Sequence, residues 1–287
     1  MIICIGEILA DLIGEGENLK MFIGGAPFNV AVNAKQAGAK VGFVGKVGKD
    51  PVGNFLKAEA NKFGFDSLTV QTDAVRNTTL AFVTLNNGER DFAFFRHDTA
   101  DYNIDISDVS ISDYNIVHLG SLMLSEKNGV KFAKKIVKMA KKQGKLLSFD
   151  VNFRMDLYNE LEDAIKAYKP FVSSADILKF SDDEILDYTG KDNLEDAINA
   201  VYKKGTLLLI TMGSKGSMYV YNDNKGLVAS AKKVTPIDTT GAGDAFFGTL
   251  LANLDGVEFT VENIEKAMVK ANEKGAETTL FKGAVKL

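Results

Sequence analysis

The chain has 287 residues, of which 46% are hydrophobic and 25% charged, which is enough for one large α/β domain with a small appendage. Its 38 acidic and 34 basic residues are mixed along the sequence and leave a net charge of -4, which argues against a nucleic-acid partner. No apolar run approaches the ~20 residues that span a bilayer, and the N-terminal stretch carries acids where a signal peptide has bases. These features predict a cytoplasmic protein with no membrane partner.

Apolar runs of strand length alternate with helical patterns in two blocks of the chain. The first block contains IICI (2–5), FNVAVNAKQAGA (28–39), KVGFVG (40–45) and NFLKAEANKFG (54–64). The second contains NIVHLGS (115–121), GVKFAKKIVKMAKKQG (129–144), KLLSFDV (145–151), ADILKF (175–180), AINAVYKKG (197–205) and TLLLITM (206–212). The alternation predicts a doubly wound α/β fold, in which a mostly parallel sheet has helices on both faces.

Two stretches lack a helical pattern and alternate polar with β-branched or aromatic residues. They are residues 12–24 and 65–103, and Asn86-Asn87-Gly88 in the second is typical of a hairpin turn. We predict that both form a small antiparallel sheet, a lid over a cleft, whereas 1–11, 25–64 and 104–287 form the core. The alternative is that both stretches extend the edge of the main sheet.

Several familiar chemistries are absent from the sequence. It contains neither the G-x-x-x-x-G-K-[ST] phosphate loop nor the G-x-G-x-x-G fingerprint, which weakens the case for a dinucleotide oxidoreductase. One cysteine and two histidines, without CxxC or HExxH, make a zinc centre or a Ser-His triad improbable. We expect Cys4 and His118 in the core and His97 at the surface.

The stretch DTTGAGDAFFGTLLANL (238–254) runs from small polar residues into an apolar helix. Gly241, Ala242 and Gly243 let backbone N–H groups approach an anion, and the helix that begins near Asp244 adds its positive end. An aspartate just past such a phosphate cradle is placed to accept the proton of an attacking hydroxyl. The simpler alternative is that Asp244 only caps the helix.

This stretch resembles the second signature of the ribokinase-like (PfkB) carbohydrate kinases. GGAPFNVAVNAKQAGAKVGFVGKVGKDPVG (24–53) is similar to the first signature of that family. Four further segments resemble family motifs in the same order along the chain, namely FDVNFR (149–154), KFSDDEILDYTG (179–190), TMGSKG (211–216) and ANEKGAETTLFKGA (271–284). The resemblance implies a ribokinase-like fold and an ATP-dependent sugar kinase.

The resemblance also implies roles for individual residues. Asp244 would be the catalytic base, with the backbone of Gly241, Ala242 and Gly243 as the anion hole for the phosphoryl group. The implied sugar contacts are Asp11, Gly24, Gly25 and Asn29. Glu184 would order Mg²⁺ through water, and the residues expected near ATP are Asn152, Thr211, Gly213, Gly216, Asn272 and Gly283. Asp238 and Thr240, with carbonyl groups around Gly283, resemble a loop that binds a monovalent cation such as K⁺.

Two positions depart from the family pattern. Ser181 stands where many members have asparagine, which puts a direct polar contact from that position in doubt. Val151 replaces a proline between Asp150 and Asn152, a change expected to alter only the stiffness of the backbone.

The segment GERDFAFFRHDTADYNI (88–104) resembles the fructokinase branch, as does VHLGSLMLSE (117–126). This implies that Arg96, Asp101 and Arg154 lie at the acceptor and that the acceptor is D-fructose. Similar arginines in 2-keto-3-deoxygluconate kinases meet a substrate carboxylate, so that acceptor stays an alternative. A non-catalytic sugar or nucleotide sensor is a second alternative, against which the intact Asp244 and Glu184 argue. The family's lid strands also imply a homodimer.

Overall fold

The computed structural model describes the backbone of residues 1–15, 18–86, 89–230 and 233–287. Side chains are described over the same ranges, except for residues 15, 83–86, 89–92 and 156. Within these ranges the chain forms thirteen strands and eight α-helices. None of these eight helices combines the length and the apolar character needed to cross a bilayer.

Nine of the described strands form one large sheet. In spatial order they are β13 (Asn224–Val228), β12 (Ser217–Tyr221), β11 (Leu207–Thr211), β10 (Ile177–Ser181), β9 (Leu146–Asp150), β8 (Ile116–Leu119), β1 (Ile2–Ile5), β4 (Val41–Gly48) and β5 (Ser67–Asp73). Neighbours from β11 to β5 are parallel, and β12 and β13 add two antiparallel strands at one edge. The sheet is therefore mostly parallel, as the alternating pattern predicts.

Helices cover both faces of this sheet. On one face are α1 (Ala26–Gln36), α2 (Pro51–Ala60), α7 (Ala242–Leu254) and α8 (Val261–Thr278), and on the other are α3 (Lys127–Lys142), α4 (Leu161–Val172), α5 (Asp182–Thr189) and α6 (Leu194–Val201). In β1, Ile2 and Cys4 pack into the first layer and Ile3 and Ile5 into the second, because successive side chains of a strand point to opposite faces. The expectation that Cys4 is buried is confirmed.

A separate small sheet contains the other four described strands. They are, in spatial order, β3 (Asn18–Gly24), β2 (Leu9–Glu15), β6 (Leu80–Asn86) and β7 (Glu89–Phe95). Asn86 pairs with Glu89 across an antiparallel ladder, and the predicted turn residues Asn87 and Gly88 between them lie outside the described residues. The prediction of a small sheet beside the doubly wound core is confirmed.

The predicted lid needs three corrections. The small sheet begins at Leu9, so residues 9–11, predicted in the core, belong to it. Ser67–Asp73 lies inside the predicted lid stretch 65–103, yet it pairs in parallel with β4 as the edge strand of the large sheet. The small sheet is also mixed, because β2 and β6 are parallel. The physical reason is the connection between them: the chain leaves β3, crosses the core through β4 and β5, and returns in the original direction. Alternation of polar and apolar residues marks a half-buried strand but does not say which sheet it joins.

The carboxyl ends of the parallel strands gather the polar side chains of the fold at one edge. Glu7 follows β1, Asp150 ends β9, and Ser181 and Thr211 end β10 and β11. Open α/β sheets bind ligands at this edge, outside the carboxyl ends of their strands. A ligand site is therefore expected at this edge of the large sheet.

Candidate active site

Two adjoining cavities lie at this edge of the large sheet. The first, of about 520 Å³, is lined by carboxylates, amides and two cations, and by small-sheet residues that include Leu9 and Ala81. The second, of about 530 Å³, has a more apolar wall that includes Val234, Pro236 and Phe246. The two share the four lining residues Thr211, Gly213, Thr239 and Gly243. This arrangement allows two ligands to meet at Gly243.

The phosphate cradle predicted from the sequence lies at this junction. Gly241 is the N-cap of α7 with φ +75°, and a Cβ atom there would lie 2.5 Å from Ala284, so only glycine is accommodated. Gly241 and Gly243 line the first cavity, and Ala242 and Gly243 line the second. The Ala242 N–H donates to the carbonyl of Thr239 over 3.3 Å, which is long for such a bond.

Asp244 lies in the first turn of α7 and faces the first cavity. Its Oδ2 accepts a hydrogen bond of 2.8 Å from Nδ2 of Asn29, which lies in the first turn of α1. The two helices approach closely because Gly248 of α7 has no side chain: a Cβ atom there would overlap the carbonyl oxygen of Val30 in α1. Burial raises the pKa of Asp244, while the hydrogen bond from Asn29 and the charge of Lys179 lower it, and the net direction is upward.

Asp11, Gly24 and Gly25 lie at or next to the wall of the same cavity. Asp11 and Gly25 line it, whereas Gly24 stands behind Asp11, where a side chain would overlap the carboxylate. Gly25 is the N-cap of α1 with φ +111°. Together with Asn29, the segment predicted to contact sugar does meet Asp244 at one cavity.

Glu184 forms a capping box at the start of α5. The Ser181 hydroxyl accepts the N–H of Glu184 at 3.2 Å, and Oε2 of Glu184 accepts the N–H of Ser181 at 2.8 Å. Serine therefore caps the helix at the position where the family often has asparagine. Burial raises the pKa of Glu184, although the charge of Lys179 lowers it.

The fit of Mg²⁺ follows from the residues around Glu184. Among the residues that the structure describes, no three acidic, histidine or cysteine side chains cluster as metal ligands. Asp182, Asp183 and Glu184 all line the first cavity. This suits a Mg²⁺ ion that keeps its water and phosphate ligands and takes little from the protein.

Arg96 and Asp101 form a buried ion pair beside the first cavity and are not part of its wall. Nε and Nη2 of Arg96 lie 2.9 and 2.8 Å from Oδ2 of Asp101, and Nη1 donates to the Ser125 hydroxyl at 2.5 Å. The other carboxylate oxygen accepts the hydroxyls of Thr79 and Thr99. Arg154 and Asn152, by contrast, do line the cavity.

The residues predicted near ATP separate between the cavities. Thr211, Gly213, Gly216 and Asn272 line the second cavity, and Asn152 lines only the first. Asn272 donates to the carbonyl of Val228 at 2.9 Å, which ties α8 to β13. The wall of the second cavity is thus formed in part by the TMGSKG segment and by one face of α8.

Asp238 joins the loop before α7 to the C-terminal segment. Its Oδ1 accepts the N–H of Thr240 at 2.7 Å, and its Oδ2 accepts the N–H of Gly283 at 3.0 Å. The three residues predicted to form a cation loop are therefore adjacent. Gly283 has φ +88°, a region that favours glycine.

Five charged side chains of the first cavity are absent from the predicted site, namely Glu7, Asp150, Lys179, Asp182 and Asp183. Lys179 of β10 is 4% exposed, and its Nζ donates to both oxygens of Asp150 at 2.9 Å. Glu7 is 2% exposed, and its Oε2 has no hydrogen-bond partner within the described part of the chain. For two of them the sequence held a usable signal: Lys179 is a lysine inside the apolar run ILKF, and Glu7 is an acid two residues after the strand IICI.

The two histidines take no part in this site. His118 is buried in β8 beside the hydroxyl of Ser148, and burial lowers its pKa to about 3, so the ring is neutral. His97 is exposed. Both placements agree with the expectations from sequence.

Fold and site together define a class. A doubly wound sheet, a glycine cradle at a helix N-terminus, and a carboxylate in a polar cavity that adjoins a more apolar one are the parts of an enzyme that transfers a phosphoryl group to an alcohol.

Comparisons with known proteins agree with this class and narrow it. Residues 1–286 match the pfkB family of carbohydrate kinases. "Probable fructokinase-7" of Arabidopsis thaliana is 36% identical, in an alignment that covers 99% of this chain and 88% of the relative. The fructokinase of Vibrio cholerae O395, solved with fructose, ADP and calcium ion, has a TM-score of 0.91 and 30% identity, with 99% and 94% of the chains covered.

A third relative has a different acceptor. The aminoimidazole riboside kinase of Salmonella enterica, solved with aminoimidazole riboside and an ATP analogue, has a TM-score of 0.88 and 26% identity, with 99% and 94% covered. The chain belongs to the pfkB family of carbohydrate kinases, and it is a phosphotransferase with a sugar acceptor.

Proposed function

We propose that this kinase transfers the γ-phosphoryl group of ATP to the 6-hydroxyl of D-fructose and forms fructose 6-phosphate. The observation that carries the choice of acceptor is the similarity to fructokinases, one of them solved with fructose. The guanidinium of Arg96 is held inside the protein by Asp101 and Ser125, whereas Arg154 is a cation in the cavity wall, so the site itself does not separate fructose from a carboxylate acceptor such as 2-keto-3-deoxygluconate. The amide of Asn29 and the carboxylate of Asp11 suit the hydroxyl groups of either acceptor.

The relatives support the same acceptor. Both the Arabidopsis relative and the Vibrio structure have the name fructokinase. The Salmonella relative, with its riboside acceptor, is less similar in sequence. The 2-keto-3-deoxygluconate alternative therefore stays second, and the sensor alternative gives way to the enzyme class.

In the proposed reaction Asp244 accepts the proton of the acceptor hydroxyl as that oxygen attacks the γ-phosphorus. Burial favours this step because it raises the pKa of the carboxyl group toward neutrality. The N-terminus of α7 at Gly241 to Gly243 provides fixed dipoles for the phosphoryl oxygens. Mg²⁺, when bound, would neutralise phosphate charge, with Glu184 orienting its water ligands. The small sheet, through Leu9 and Ala81, would exclude water from the first cavity.

The test is a comparison of kcat/KM over D-fructose, 2-keto-3-deoxygluconate, ribose, tagatose and adenosine with ATP and Mg²⁺. We expect the highest value for D-fructose. The Asp244→Asn protein, purified in the same way, controls for a contaminating kinase. A higher value for the keto-acid would contradict the choice of acceptor and leave the kinase class intact.

We also propose that K⁺ binds beside Asp238. The carboxylate of Asp238 orders the backbone of Thr240 and Gly283 next to the cradle, and this supports a loop whose carbonyl groups hold a monovalent ion. Replacing KCl by N-methylglucamine chloride at constant ionic strength should lower kcat. Equal rates in the two salts would contradict a K⁺ requirement.

A homodimer through the small sheet is proposed as well. The proposal rests on the resemblance of the small sheet to the family's lid strands, and a partner on that sheet would cover Phe95, which is 60% exposed, or Leu19, which is 41% exposed. Light scattering should give twice the 31.1 kDa chain mass, and a monomer at working concentration would contradict the proposal. Because ATP is the proposed donor, we place the reaction in the cytoplasm, which cell fractionation would test.

A further inference from the structure

The Lys179 side chain occupies an unusual position for a lysine. It is 4% exposed, in the middle of the large sheet, and its Nζ lies 2.9 Å from both oxygens of Asp150. The two residues are register partners on the adjacent strands β9 and β10. Burying an ammonium group is unfavourable unless its charge has partners. Asp150 accounts for one charge and for two of the three N–H donors.

The same ammonium group lies against the phosphate cradle. A Cβ atom on Gly243 would be 3.4 Å from Nζ of Lys179, and both residues line the first cavity with Asp244. Gly243 is the second residue of α7, where the helix presents the positive end of its dipole. A cation and a helix N-terminus repel each other when nothing lies between them. Their approach at one wall is favourable when an anion binds there.

The charge of Lys179 is maintained by its surroundings. Burial alone lowers its pKa, but the carboxylates of Asp150, Glu184 and Asp244 raise it, and the net direction is upward. The group is therefore an ammonium at physiological pH and cannot serve as a base.

We infer that Lys179 is a further phosphoryl-binding residue, whose ammonium group contacts oxygens of the transferring phosphoryl group, and that Asp150 is the residue that positions it. The inference rests on the proposed kinase reaction. In that reaction the bond from γ-phosphorus to the β,γ-bridging oxygen breaks, a bond to the acceptor oxygen forms, and the acceptor proton goes to Asp244. Lys179 keeps its protons and balances charge on the phosphoryl oxygens.

The competing explanation is that Lys179 only neutralises the buried Asp150. Two variants separate the explanations, Lys179→Met and the double variant Lys179→Met/Asp150→Asn, which removes both charges together. We expect kcat to fall by about 10²–10³ in Lys179→Met, as for the loss of one preorganised donor, with the KM for ATP changed less than fivefold. The double variant should be equally slow. If Lys179 only neutralised Asp150, the double variant would recover the wild-type kcat, and this result would overturn the inference.

A matched control is available at the surface. Lys204 and Asp223 form an exposed ion pair of 3.2 Å, so Lys204→Met and Lys204→Met/Asp223→Asn make the same chemical changes outside the cavities. Both control proteins should have wild-type kcat. Thermal unfolding of all four variants by circular dichroism identifies a protein that is simply unfolded.

A binding measurement tests the inference without turnover. Titration calorimetry compares the affinity for ADP with that for ADP plus aluminium fluoride and Mg²⁺, a mimic of the transferring phosphoryl group. Lys179→Met and the folded double variant should each lose at least tenfold more affinity for the fluoroaluminate complex than for ADP. Equal losses for the two ligands would overturn the inference.

The same experiments distinguish a wrong acceptor from a wrong role for Lys179. If the wild-type protein does not phosphorylate fructose but binds the fluoroaluminate complex, the proposed acceptor is wrong and the binding data still decide the role of Lys179.

Discussion

At the scale of the single residue, this site uses burial to set the properties of its charges. Asp244, Glu7 and Lys179 all lie in the wall of one cavity, yet each has a different set of neighbours. Asn29 holds Asp244 by a hydrogen bond, Asp150 holds Lys179, and Oε2 of Glu7 has no hydrogen-bond partner in the described ranges. The three groups should therefore respond differently to substitution.

Asp244→Asn should keep the shape of the site and remove the proton acceptor. We expect turnover to fall by ~10²–10⁴, the range for loss of a general base, while the affinity for ATP stays within a few-fold. Steady-state kinetics and calorimetric titration with ATP measure the two effects. The exposed Asp192→Asn is the control and should match the wild type. A near-normal rate in Asp244→Asn would exclude Asp244 as the base.

Glu7→Gln should stabilise the protein at alkaline pH. Burial raises the pKa of Glu7 from its ordinary 4.5 to about 7, helped by the charges of Asp101 and Asp244. Below pH 4.5 the group is neutral in both folded and unfolded chains. Between 4.5 and 7 the folded protein binds more protons than the unfolded one, so the contribution of Glu7 to stability falls as pH rises. Above pH 7 the penalty reaches about 3 kcal/mol, from ~1.4 kcal/mol per pKa unit.

Urea unfolding at pH 5 and pH 8 measures this difference. The gain in unfolding free energy from Glu7→Gln should be larger at pH 8 than at pH 5. The exposed Glu258→Gln serves as the control and should follow the wild type at both pH values. An equal effect of Glu7→Gln at the two pH values would contradict a raised pKa.

At the scale of the element, helix N-termini carry the chemistry. The chain begins α1 with Gly25, α5 with Ser181 and α7 with Gly241, and all three termini meet at the first cavity. Glycine at two of these caps removes side chains from the path of a ligand, and serine at the third closes a capping box with Glu184. The caps therefore both end the loops and shape the site.

The variant Ser181→Ala should separate the contribution of the cap to stability from its contribution to the site. Loss of the capping hydroxyl should lower the unfolding free energy by about 1 kcal/mol. Because Glu184 is then less well fixed, the Mg²⁺ concentration for half-maximal activity should rise by about tenfold.

The control for Ser181→Ala is Thr260→Ala at the N-cap of α8, where the hydroxyl also accepts a backbone N–H. It should lose similar stability with no change in the Mg²⁺ dependence, because Thr260 does not line either cavity. An equal shift in the Mg²⁺ dependence of both variants would contradict a specific role for the Ser181 cap.

At the scale of the whole molecule, sequence periodicity predicts the layers better than it predicts the partners of each strand. Buried strands such as IICI and LLLI are continuous apolar runs, so the doubly wound core can be predicted from the sequence. The strands at 67–73 and 80–86 come from one stretch predicted as part of a single small sheet, and only the tertiary structure assigns them to different sheets. Asp244 was predictable because its glycines are adjacent in sequence, whereas the Lys179–Asp150 pair depends on the register of two strands 29 residues apart.

The first cavity lies between the two sheets, and this makes a prediction about substrate binding. Leu9, Ala81 and Phe94 reach it from the small sheet, and Asn29 and Asp244 reach it from the core. A sugar that contacts both sides should suppress local opening of the small sheet. Hydrogen exchange by mass spectrometry should therefore slow in β2 and β6 when fructose is added, and not in β13, which lies outside this cavity. Protection confined to the core would contradict a role of the small sheet as a lid, since a lid must contact the ligand that it covers.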